Sequence, residues 1–128
     1  HGIYFYRDVY NVMKRFAKLD ENNVMVDLIV VGESDAPTEE EGAKFINHCQ
    51  RTSGVVWVEA TNEVTPGSTY DFSTKKFTPV QPAPSWTYVA GSGIIGEWQP
   101  PVPYPDDGGS YQWDESVYQA DNTAGWVS

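Results

Sequence analysis

His1 and His48 are the only imidazoles in this 128-residue chain, and Cys49 is its only thiol. His48 and Cys49 are neighbours in a stretch that reads as helix. Consecutive helical residues do not face each other, so no thiolate–imidazole pair is read there, and Cys49 is expected to be a buried or inert thiol. There is no histidine cluster or cysteine pair with zinc-ligand spacing. Gly91, Gly93 and Gly96 are spaced as GxGxxG, but a dinucleotide site needs a helix after the last glycine. Trp98 and a proline run follow instead, so the three are read as turn glycines. Asp106-Asp107-Gly108-Gly109 lacks the alternating acids and distal glutamate of a calcium loop, and reads as a tight turn after Pro105. Glu39, Glu40 and Glu41 read as a charged first helical turn rather than a general acid/base pair, since nothing specifies a cleft around them. The expectation is therefore no catalytic residue, no metal and no cofactor. One chemistry remains open, the stacking of Trp86, Trp98, Trp113 and Trp126 on a glycan. Against it, aromatics two residues apart on a strand share a face and suit a hairpin's own core.

The elements that would carry these residues fall into two halves. Arg15–Leu19 reads as a short strand, Asp20–Asn23 as a polar turn and Val24–Val31 as a Val/Ile-rich strand. Next, Asp35 is the candidate N-cap of a helix with Pro37 in its first turn. Ala43, Phe45, Ile46 and Cys49 make its apolar stripe, and Gly54 is its stop. Residues 55–61, VVWVEAT, read as a third strand. Eight of the nine prolines then lie from Pro66 onward. Proline removes a ladder donor, which excludes a continuous sheet or a helical bundle there.

Between these prolines a unit recurs: STYDFSTKKFTPVQPAP, then SWTYVAGSGIIGEWQPPVPYP, then SYQWDESVYQADNTAGWVS. Each opens on aromatics two apart (Tyr70/Phe72, Trp86/Tyr88, Tyr111/Trp113), passes a turn, and closes on Phe77, Trp98 or Trp126. The third turn reads as a longer polar loop. The whole reads as α+β: a β-β-α-β unit followed by an extended arm of short β-hairpins linked by proline connectors. Residues 1–12 form an N-terminal extension, 13–66 a small α+β domain, and 67–128 the arm. Met13 reads as a plausible initiator. An isolated hairpin is only marginally stable, so the arm is expected to pack on a partner.

Composition narrows the partners. The net charge is −10, and no Lys or Arg follows Lys76. Such a chain repels phosphate backbones and anionic bilayers, so neither nucleic acid nor membrane is expected. No apolar run spans a bilayer, no signal peptide is read at the start, and a single cysteine cannot form an internal disulfide.

FAKLDENNVMVDLIVVGES resembles the opening of small tailed-phage structural proteins. PAPSWTY…WQPPVPYPDDGGSYQWDE…W resembles their Pro-Ser-Trp and Pro-x-Pro tail, common among virion-associated proteins of cyanophages and other marine phages. The resemblance covers roughly residues 13 to 128. It departs from the compact family form in the longer turns VAGSGIIGE and ESVYQADNTAG and in the first dozen residues. It implies a non-enzymatic virion protein, assembled in the host cytoplasm, that decorates capsid, neck or tail. The partners expected are other virion proteins or further copies of the chain, with a glycan as the remaining alternative. The residues expected to bind them are Tyr70, Phe72, Phe77, Trp86, Tyr88, Trp98, Tyr104, Tyr111, Trp113 and Trp126. Pro100, Pro101, Val102, Pro103, Tyr104 and Pro105 would serve as spacer. A carbohydrate-binding module on a phage fibre and a tail-fibre assembly chaperone are the rival readings.

Overall fold

The computed structural model describes residues 13–128; the expectation for residues 1–12 lies outside them. Strand β1 (Met13–Leu19) is central in a three-stranded antiparallel sheet, between β2 (Met25–Gly32) and β3 (Val56–Ala60). The β1–β2 turn is closed by Asp20, whose carboxylate accepts from the Asn22 and Val24 N–H groups at 2.8 and 3.0 Å. Asn23 supplies the positive φ of 62° that the turn needs.

Phe16 and Ala17 are both fully buried. Successive strand residues point to opposite faces, so β1 is covered on both sides. Phe16 packs with Val31, Ala36, Ile46 and Trp57 beneath helix α1 (Glu39–Gln50). Ala17 and Leu19 pack with Met25, Val58, Val64, Tyr70 and Phe77. Tyr70 and Phe77 belong to the hairpin of β4 (Thr69–Asp71) and β5 (Lys76–Thr78). The sheet is therefore the middle of three layers, with α1 on one face and the first aromatic hairpin on the other. This corrects a boundary at residue 66: the first hairpin shares the core of the N-terminal unit instead of starting an arm. It is also stitched to that unit by backbone bonds, Tyr70 N–H to Asn23 O and Met25 N–H to Ser68 O, both 2.8 Å.

Helix α1 differs from expectation at both ends. Glu33–Asp35 form a 3-10 turn, and Thr38, not Asp35, is the N-cap. Thr38 is extended, and its Oγ1 accepts from the Glu41 N–H at 3.1 Å. The residue before a proline is pushed out of the helical region, and Ala36 has φ −140° and ψ 56°, so a helix begun at Asp35 is interrupted there. The helix stops at Arg51 rather than Gly54. Arg51 takes the left-handed conformation (φ 57°), its N–H returning to Asn47 and His48 carbonyls. Cys49 is exposed, which corrects the buried reading: the apolar face is spent at Ile46, one turn before the helix ends.

Beyond Thr78 come two further antiparallel pairs. β6 (Thr87–Val89) pairs with β7 (Glu97–Gln99), and β8 (Gln112–Trp113) pairs with β9 (Trp126–Val127). The loop expected between β8 and β9 holds a helix, α2 (Glu115–Ala120). The described chain is thus α+β with several small antiparallel sheets.

Candidate interaction surface

The aromatic candidates divide into three groups. Tyr70 and Phe77 are 4% and 0% exposed and lie in the core, so they are not surface residues. This corrects their assignment to partner binding, and the cause is the hairpin's docking on Ala17 and Leu19. Phe72 is not on β4 but in the turn after it; it is half exposed, with its ring 4.9 Å from that of Tyr70.

Tyr88 and Trp98 form the second group, directly paired across β6 and β7 with ring centroids 5.2 Å apart. The Tyr88 hydroxyl donates to the Phe77 carbonyl at 3.1 Å and accepts from the Gly96 N–H at 2.9 Å. The Phe77 N–H in turn reaches the Ile94 carbonyl at 2.6 Å. The Tyr88 phenol and a backbone bond therefore both tie the second hairpin to the first.

The third group is a continuous aromatic cluster. Trp113 and Trp126 are cross-strand partners with rings 5.2 Å apart, and Trp86 lies 5.9 Å from each. Tyr104 meets Trp126 at 4.9 Å and Tyr111 at 5.7 Å, and Tyr118 from α2 meets Trp113 at 5.5 Å. Most of these contacts are edge-to-face, the arrangement the ring quadrupole favours. Trp86 and Tyr88 do not share a face, because β6 starts at Thr87. Trp86 turns to the third hairpin and Tyr88 to its own. Likewise Tyr111 precedes β8.

The polar handles of these rings show a repeated device. The Trp98 indole N–H donates to the Pro79 carbonyl at 2.7 Å, and the Trp126 indole N–H to the Val102 carbonyl at 2.8 Å. In both later hairpins the tryptophan of the closing strand bonds a carbonyl of the proline-rich sequence upstream of its own hairpin. The first hairpin closes on Phe77, which has no such donor and is held by backbone bonds instead.

Carboxylates complete the cluster. Glu115 accepts from the Trp113 indole at 3.0 Å, from the Ser85 hydroxyl at 2.7 Å and from the Gln119 amide at 2.8 Å, and these bonds hold its carboxyl below the usual range. Asp114 caps α2 through the Ser116 and Val117 N–H groups. Its carboxyl is lowered first by the Ser116 hydroxyl, then by the Val117 N–H. Asp107 is lowered first by the Tyr111 hydroxyl, which donates to it at 2.5 Å, then by the Gly109 N–H at 2.9 Å. These acids organise turns, and Asp106–Gly109 forms a turn whose Gly108 has φ 80°.

Sequence reasoning missed Glu115, Ser85, Tyr118 and Pro79 as members of this assembly, and placed Val102 only as a spacer residue. Asp114 before the helix-forming ESVYQA was a readable N-cap signal for α2. The two indole–carbonyl bonds span 19 and 24 residues and leave no local trace. Compared with family models, with curated proteins and with solved structures, the chain matches none.

Proposed function

We propose that this chain is a non-enzymatic structural or accessory protein of a tailed-phage particle, seated on capsid, neck or tail. In this reading, residues 13–78 form the head and residues 79–128 an arm whose hairpins and proline connectors are laid against neighbouring virion subunits. The observation that carries it is the pair of tryptophan clasps on Pro79 and Val102. They fix irregular, proline-rich backbone in one shape without a continuous sheet, as a protein that must present a defined outer surface requires. The sequence resemblance to virion proteins in the same stretch supports the same reading. The aromatics are then arranged inside the arm, and Tyr104, Val89 and Val127 with the connector prolines Pro101 and Pro103 form its outer surface.

Mass spectrometry of purified particles of the encoding phage is the test. Recovery of the chain in constant ratio to major structural proteins is expected. Its presence in infected-cell lysate and absence from particles would overturn the reading and favour an assembly chaperone.

A further inference from the structure

The long turn of the second hairpin, Ala90–Gly96, builds a groove of about 340 Å³ against the head. Its half-buried lining is Pro79, Ile95 and Gly96, and exposed Val89 extends the apolar wall. Two exposed glutamates from different elements complete it, Glu63 from the loop after β3 and Glu97 from β7.

This lining is fixed by bonds already present in the free chain. The Trp98 indole holds the Pro79 carbonyl, and the Tyr88 hydroxyl holds the Gly96 N–H. A β-carbon at position 96 would collide with the Val89 carbonyl oxygen, so this wall requires glycine. Neither glutamate is neutralised: among the described residues the ion pairs are Lys14–Glu59 and Lys44–Glu40. The Lys76 ammonium lies 3.4 Å from the Gly91 carbonyl at one end of the groove, and on its other side Glu63 lines a neighbouring pocket with Lys14 and Arg15.

We infer that this groove receives an arginine side chain from a partner protein. An aliphatic stem needs an apolar wall, here Pro79, Val89 and Ile95, while a guanidinium needs carboxylates at the margin. The chain's net charge of −10 favours a basic partner over an acidic one. Preformed walls reduce the ordering cost of binding. The inference rests on reading the chain as a partner-binding protein, but it is tested on the isolated chain, so it can fail while the particle assignment stands.

The probe is a blocked alanine pentapeptide carrying one central arginine, titrated into the full chain at low salt and followed by amide chemical shifts. Shifts confined to Val89, Gly91, Ile95 and Gly96 are expected, with no response to the same peptide carrying citrulline. Glu63→Gln with Glu97→Gln should weaken binding about tenfold, the size expected when two exposed charge contacts are lost. Glu40→Gln with Glu41→Gln, which removes the same charge elsewhere, should leave it unchanged. Absence of binding, equal weakening by both double variants, or shifts spread over all acidic surfaces would overturn the inference.

Discussion

Four indoles lie within residues 79–128 and only three have acceptors among the described residues. Trp98, Trp113 and Trp126 donate to Pro79, Glu115 and Val102, whereas the Trp86 N–H is buried with no partner within the described residues. Substitution by phenylalanine separates these cases. Trp126→Phe leaves the Val102 carbonyl unpaired and should cost about 1 kcal/mol more than Trp86→Phe, which removes a donor that bonds nothing. Denaturant unfolding of the two variants measures the difference. Arg51 offers the opposite sign. An L-residue in the left-handed region costs roughly 1–2 kcal/mol, so Arg51→Gly should raise stability, by less than 1 kcal/mol after glycine's own entropy cost. At this scale the sequence was legible where a residue acts locally: the turn glycines and the Asp106–Gly109 turn are where their types put them. It was illegible where a bond joins distant segments, as with Trp126 and Val102.

Among the elements, helix α1 depends on a close approach. Gly42 lies directly over Phe16, and a β-carbon there would collide with that ring. Helix propensity alone favours alanine by about 1 kcal/mol. The account predicts the reverse: Gly42→Ala lowers the melting temperature, because overpacking a filled core costs about 1–3 kcal/mol. Thermal unfolding followed by circular dichroism decides the sign. Strand and hairpin positions could be read from β-propensity and turn residues, since each hairpin pairs neighbours in sequence; the β1–β3 pairing, which reaches across α1, left no such local trace. Helix α2 could not be read from an apolar stripe, being six residues long; its signal was the Asp114 cap alone. The N-cap of α1 was misplaced because Asp35, like Thr38, is a good capping type, and only the 3-10 turn before Pro37 decides between them.

For the molecule as a whole, acidic residues do structural work that a net charge conceals. The carboxyls of Asp71, Asp107, Asp114, Glu115 and Asp121 are all held below their ordinary values by hydrogen bonds to hydroxyl, indole, amide and backbone donors. A carboxyl lowered in the folded state contributes stability above its unfolded pKa, and that contribution is lost as pH falls through the folded value. Stability should therefore be flat near neutrality and fall from about pH 4 downward, where unfolded carboxyls begin to protonate. Tryptophan fluorescence from pH 6 to 2 should report the loss, since four of those five acids lie within residues 107–121, beside the tryptophan cluster. That the first hairpin packs on the three-stranded sheet was not legible. β1 buries Phe16 and Ala17 on opposite faces, so its sequence lacks the alternation that marks a half-exposed strand.

The central claim is that residues 79–128 are a pre-shaped surface laid on a neighbouring virion subunit. A cryo-EM map of the particle tests it most directly. The account predicts density for this arm in the conformation described, with Trp98 and Trp126 clasping Pro79 and Val102 and with Pro101, Pro103 and Tyr104 against another subunit. A particle without the chain, or one in which the arm touches no other subunit, would contradict it.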